Sequence, residues 1–233
     1  MITIIQPRLW GGYGFGNDKQ VFVYIKGSEI PAGVNLTESS PAHRNIIATG
    51  DVANPTQSFI DFPPGGWTAS WVFVRADKSF LYYGAINDLK SRPFTLECWA
   101  KITLDTGFDQ VIMQADNGAG DGVECGARAN NAWVKVGLVK IINVAATVVY
   151  GTWQRWVVTR DDSNNLRLYI NGALIGSAVV GSLNLNQRLC FADSWVDRSV
   201  CMTGSLAGMR FSPGYCRYRN RPISPSNWPT RRW

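Results

Sequence analysis

Asn171 and Gly172 constrain this chain more than any other pair, because they separate two apolar, strand-like runs, 166–170 and 173–179. A two-residue connection needs positive φ at both central positions, and Asn-Gly takes that conformation at little cost, so the runs are expected to fold back as a hairpin. Within the first run Leu166, Leu168 and Ile170 alternate with Arg167 and Tyr169, which predicts one buried and one wetter face. A third run, from Trp153, joins them through the polar loop Asp161 to Asn165. The product is a meander that closes a sheet. It holds no nucleophile and no ligand cluster, so the centre of the sequence reads as scaffold.

Ten Trp, ten Phe, eight Tyr and 23 Gly among 233 residues favour an all-β sandwich over a helical bundle. No run approaches the roughly 20 apolar residues of a membrane span, so no membrane partner is expected. The first residues lack a basic stretch followed by an apolar one, so no signal peptide is expected either. Cys98, Cys125, Cys190, Cys201 and Cys216 are odd in number, widely spaced and without a Cys-x-x-Cys pair. They read as small buried side chains of a protein made in reducing cytosol, with a Cys190–Cys201 disulfide as the alternative.

The Trp153–Val179 stretch, with its Arg-Asp loop and its Leu-Arg-Leu-Tyr-Ile-Asn-Gly hairpin, resembles the concanavalin A-like, laminin-G-type jelly roll. Two further pieces stand in the order that this family shows. Phe94-Thr-Leu-Glu-Cys-Trp99 is similar to its early strand, and Gly204-Ser-Leu-Ala-Gly-Met-Arg-Phe211 with Arg217-Tyr218 is similar to its closing segment. The resemblance implies an antiparallel two-sheet β-sandwich over 78–220. Residues 1–77 are expected to form a strand-rich extension that docks on the sandwich or on a neighbouring chain. Residues 221–233, rich in Pro and Trp, are expected to form a basic arm, because that composition cannot continue a sheet interior.

Chemistry is sparse. Some relatives of this fold are glucanases with a Glu-x-Asp-x-x-Glu strand, but position 99, two after Glu97, is Trp, so Glu97 is expected to be a polar partner at a strand edge. His43 is the single histidine, so a hydrolase triad would have to use it, and it sits in a Pro-flanked loop outside the jelly-roll stretch. The glycines from Gly11 to Gly16 lack the Lys-Ser/Thr end of a phosphate loop. No cofactor is expected. Calcium is the one candidate, because Asp116, Asn117 and Asp121 offer hard oxygen donors in a glycine-rich loop, although the same residues are ordinary turn formers. Sugar binding needs an aromatic surface beside polar groups, and Trp133, Trp195 and Asp193 are the candidates.

Charge is uneven. Six arginines and no acid lie between Arg210 and Trp233, while the rest of the chain is balanced. Arg217, Arg219, Arg221, Trp228, Arg231, Arg232 and Trp233 are the expected assembly arm, since free tails seldom keep aromatics unless these pack somewhere. Arg217, Tyr218, Arg219 and Arg221 also interleave charge and ring as single-strand binders do, but an Arg-Tyr pair belongs to the family's closing segment, so nucleic acid is set aside. A jelly-roll chain of this kind, with no signal peptide expected and a basic, aromatic arm, resembles structural proteins of tailed phages, and that resemblance implies a non-enzymatic, homo-oligomeric virion structural protein. It would be made in host cytoplasm and exposed on the particle as capsid decoration, head fibre, tail fibre or baseplate. The alternative is a lectin-like module for a host surface glycan, and the third reading is a glycan hydrolase.

Overall fold

The computed structural model describes residues 23–25, 35–37, 45–49, 53–64, 69–84, 92–103, 107–116, 122–183, 185, 188–194, 198–214 and 216. In chain order the strands are β1 (Val23–Ile25), β2 (Asn35–Thr37), β3 (Asn45–Thr49), β4 (Thr56–Ser58), β5 (Ser70–Phe73), β6 (Phe80–Gly84), β7 (Phe94–Ile102) and β8 (Gln110–Asp116). They continue with β9 (Val123–Arg128), β10 (Asn131–Val136), β11 (Val139–Val144), β12 (Gln154–Arg160), β13 (Asn165–Ile170), β14 (Ala173–Val179), β15 (Arg188–Phe191) and β16 (Gly204–Pro213). Among the described residues the only helical pieces are two 3-10 turns, Arg75–Asp77 and Arg198–Val200. The chain is an antiparallel β-sandwich, as its sequence implies.

Sheet A runs β14-β13-β12-β7-β16-β5-β4, and β1 also pairs with β16; sheet B runs β11-β10-β9-β8-β15-β6-β3-β2. Strands from both sides of residue 77 share both sheets. Period-2 alternation fills the space between them: Leu96, Cys98 and Ala100 from β7, Trp156 and Val158 from β12 and Leu166, Leu168 and Ile170 from β13 meet Met113, Val123, Cys125, Ala132 and Val134 from sheet B. All five cysteines are buried free thiols. Burial pushes the Cys98 and Cys125 thiols well up, so neither is a thiolate at neutral pH.

The central meander forms as its residues dictate. Asn171 and Gly172 both take positive φ, 51° and 87°. The Asn171 amide donates to the Arg155 carbonyl, and its side-chain oxygen accepts from the Arg155 amide, both at 2.9 Å, which staples the turn to β12. In the Arg-Asp loop, Asp161 Oδ1 accepts from the Ser163 and Asn165 amides, while buried Arg160 donates to the Arg92 and Gly181 carbonyls. Burial alone would raise the Asp161 carboxyl, but the Asn165 amide and Arg167 outweigh it and hold the group below the usual range.

Two details differ from the sequence reading. Tyr169 is buried although it faces away from the core, and burial raises its phenol. The β10–β11 turn falls at Gly137, with φ 59°, and leaves Leu138 and Val139, the first residue of β11, exposed. Glu97 is on β7, a central strand and not an edge. It faces away from the core, 2.5 Å from Arg155 Nη2 and 3.3 Å from Arg210 Nη1.

Candidate binding face

The outward side of sheet B gathers the polar groups that sequence reasoning left scattered. Because Val123 and Cys125 of β9 and Ala132 and Val134 of β10 point into the core, the intervening Glu124, Trp133 and Lys135 point out. Register then sets the neighbours. Lys135 lies between Glu124 on β9 and Lys140 on β11, Trp133 lies opposite Gly126, and Gln114 of β8 lies opposite Glu124.

Two lysines side by side on adjacent strands would repel each other. Asp109, just ahead of β8, resolves this: Lys140 Nζ donates to its Oδ1 at 2.6 Å, and Lys135 Nζ lies 3.0 Å from its Oδ2. Both ammonium groups also sit over the Trp133 indole, 4.7 Å and 5.2 Å from the ring centroid. Gly126 makes room for that ring, since a Cβ there would lie 2.5 Å from Trp133 Cζ2 and 2.1 Å from the Gln110 carbonyl oxygen.

Glu124 closes the cluster on its other side. Its Oε1 accepts from Ser194 Oγ at 2.6 Å and Gln114 Nε2 at 2.9 Å, while its Oε2 is 3.8 Å from Lys135 Nζ. Environment drives the two carboxyls apart. Burial raises Glu124 against the opposing pull of Ser194 and Lys135. Burial also acts to raise Asp109, but the hydrogen bonds from Lys140 and Lys135 overcome it and hold that group below its usual value. The side chains of Asp109, Glu124, Lys135 and Lys140 all keep some contact with solvent. Fixed donors and acceptors of both charges, backed by an indole, form a surface that can hydrogen-bond a hydroxyl-rich ligand in both directions.

The sequence-derived candidates fare differently. Trp133 is in the cluster, but it is fully buried, with its ring under two lysines, so it supports the polar groups and offers no open stacking platform. Asp193, just after β15, is fully buried and accepts from Cys201 Sγ at 2.8 Å, so it is not a rim residue. Asp116 is buried at the end of β8, opposite Arg188. Among the described residues no group of three or more His, Cys, Asp or Glu is placed to hold a metal. Trp195, Asn117, Asp121, His43, Gly11 to Gly16, and the arm residues Arg217, Arg219, Arg221, Trp228, Arg231, Arg232 and Trp233 lie outside the described residues. Arg210, the first arginine of the basic segment, is committed to Glu97. Asp109, Glu124, Lys135 and Lys140 were missed because each is isolated in sequence and only strand register joins them.

A family model described as concanavalin A-like lectin/glucanases superfamily matches residues 76–214. Among solved structures, domain 4 of AbnA, an extracellular arabinanase of Geobacillus stearothermophilus, in complex with arabinotriose, superposes with TM-score 0.63 at 12% identity, covering 84% of this chain and 94% of that one. The binding domain of Paraclostridial mosquitocidal protein 1 gives 0.59 at 13% identity, over 84% of this chain and 49% of that one. A structure of botulinum neurotoxin type C, whose cell entry is described as dependent upon interaction with two ganglioside molecules, gives 0.58 at 13% identity, over 84% and 48%. The chain thus spans about half the length of the toxin chains that it matches. The search of curated proteins found no match.

Proposed function

Because the chain belongs to the concanavalin A-like lectin/glucanases superfamily, we propose that it is a non-catalytic, lectin-like module that binds a glycan on the outward side of sheet B. One observation carries this reading: Asp109, Glu124, Lys135 and Lys140 converge on one partly open surface with fixed donors and acceptors. Sugar hydroxyls donate and accept at once, and such an array meets both needs without moving. The arabinotriose and ganglioside named for two neighbours of the same fold supply the first ligands to try.

Isothermal titration with arabino-oligosaccharides and sialylated ganglioside oligosaccharides is the test. One class should bind, and Lys135→Met or Asp109→Asn should weaken it at least about tenfold, or about 1.4 kcal/mol. Absence of binding across both classes by folded protein, or unchanged affinity in both variants, would contradict the proposal.

A second reading places the same domain on a tailed-phage particle as a virion structural protein made in host cytoplasm. The observation that favours it is the acid-free, arginine-rich composition of 210–233. Deleting 221–233 should then abolish attachment to particles while leaving thermal unfolding unchanged. Normal attachment of the truncated chain would rule out the arm.

A further inference from the structure

Resting on the reading of the outward side of sheet B as a glycan site, we infer that Phe108 is the ring on which the sugar lies, that Arg75 positions it, and that the ligand is built of pyranose rings. A sugar site needs an apolar plane beside its polar groups, because one side of a pyranose chair carries mostly C–H bonds and these settle on the electron-rich face of an aromatic ring. Fully buried Trp133 offers no such plane. Among the described residues the exposed aromatic rings are Phe59, Phe62 and Phe108. Phe59 and Phe62 lie on either side of Asp61, whose carboxylate is held by Lys101 of β7 in sheet A. Phe108 instead precedes Asp109, the residue that binds both Lys135 and Lys140, so its Cα is about 3.8 Å from that of a central member of the cluster.

The loop that carries Phe108 is braced. Gly107, with φ 68°, turns the chain just ahead of the ring. Arg75, in the 3-10 turn after β5, then grips the next two residues: its guanidinium lies over the Phe108 ring, 5.0 Å from the centroid, and its Nη1 donates to the Asp109 carbonyl at 3.4 Å. Arg75 is itself anchored, since its amide donates to Thr203 Oγ1 at 3.2 Å while the Thr203 amide donates to Gln110 Oε1 at 3.0 Å. These bonds tie Arg75, Thr203 and the start of β8 together. Phe108 nevertheless stays 61% exposed, so the guanidinium covers part of the side chain and leaves a broad surface in solvent. A solitary exposed phenylalanine is ordinary. One that is braced by an arginine and joined to fixed donors and acceptors is arranged as the apolar wall of a ligand site.

This arrangement sorts ligands by ring shape. A pyranose chair is close to flat, matches a phenyl ring in size, and points its equatorial hydroxyls sideways, where Asp109, Lys135 and Lys140 can hydrogen-bond them. A furanose ring is puckered and carries substituents out of its plane on both sides, so it meets a phenyl face at fewer points. Sheet B therefore favours a chain of pyranoses over a chain of arabinofuranoses, with one unit against Phe108. The polar cluster fixes the orientation of the sugar, and Phe108 selects the kind of ring.

Calorimetric titration of the full chain with ganglioside oligosaccharides, which are pyranoses, and with arabino-oligosaccharides, which are furanoses, is the test, with the ligand's proton NMR spectrum followed in parallel. The ganglioside oligosaccharide should bind more tightly, and its ring C–H protons should move upfield under the phenyl ring current. Phe108→Leu should weaken binding about five- to tenfold and abolish the upfield shift, whereas Phe108→Tyr should keep both. Arg75→Gln should lower the affinity and the shift together, and Arg75→Lys, which keeps a cation for the ring, should recover part of each. Phe59→Leu, at another exposed ring, should change neither. Because Phe108 is mostly exposed, its variants should melt near wild type. If Lys135→Met weakens binding while Phe108→Leu leaves affinity and shift intact, the glycan site stands and the stacking inference falls. Tighter binding of the arabino-oligosaccharide would overturn the ring preference, and absence of binding by both classes would remove the glycan reading and this inference with it.

Discussion

Gly126→Ala adds a single methyl group and should disrupt the whole candidate face. Built on the present backbone, the new Cβ would lie 2.1 Å from the Gln110 carbonyl oxygen and 2.5 Å and 2.9 Å from Trp133 Cζ2 and Cη2. Relief requires a shift of about 1 Å, and neither neighbour is a flexible side-chain tip: one is backbone at the start of β8, the other a fully buried ring beneath Lys135 and Lys140. Overpacking a tight site costs about 1–3 kcal/mol, and a clash with backbone belongs at the upper end, about 2–3 kcal/mol. For a chain of this size that corresponds to a fall of roughly 4–12 °C in melting temperature. Urea unfolding followed by tryptophan fluorescence measures it, with Gly181→Ala as the control, because a Cβ at Gly181 meets nothing within 4 Å. If Gly126→Ala stays within about 0.5 kcal/mol of wild type, the packing of Trp133 on Gly126 is wrong, and with it the platform under the lysines.

Other perturbations test the electrostatics. Glu97→Ala leaves Arg155 and Arg210 facing each other without their shared carboxylate; since both guanidinium groups are partly exposed, the loss in chemical denaturation should be about 1.5–3 kcal/mol rather than that of a fully buried pair. Asp161 has a lowered pKa in the folded state, so it stabilises above its unfolded pKa, and that contribution disappears as pH falls through the folded value. Asp161→Asn should therefore flatten the acid limb of a stability-against-pH curve, and an unchanged limb would refute the assignment. Glu124 has the opposite sign: its pKa is raised on folding, so ionising it costs stability as pH rises through the folded value. Glu124→Gln should be close to neutral at acidic pH and gain on wild type toward neutrality; a loss that grows with pH would show that the carboxylate is net stabilising.

The fold was legible where local chemistry decides it. Asn171-Gly172 announces a turn because few pairs take two positive φ angles, and Leu166, Leu168 and Ile170 announce their face because a strand alternates. Boundaries blurred where apolar residues leave the core, as at Leu138 and Val139, which look like strand interior and stand in solvent around the Gly137 turn. The candidate face was hidden for a different reason. Asp109, Glu124, Lys135 and Lys140 lie on separate strands and a turn, and no spacing rule links them; their meeting depends on the β8–β9–β10–β11 register and on a bulge between Val134 and Lys135. Trp133 carried half of the signal, since an aromatic among polar residues suggests a site, but its burial beneath two ammonium groups depends on the glycine opposite, which sequence alone does not place.

Ligand-induced shifts in an amide-correlated NMR spectrum test the central claim most directly, because they report where an oligosaccharide sits as well as whether it binds. Titration with the oligosaccharide that binds in calorimetry should move the amides of Asp109, Gln114, Glu124, Lys135 and Lys140 and the indole N–H of Trp133, while sheet A stays still. Shifts confined to sheet A, such as around Glu97, Arg155 and Arg210, would contradict the account.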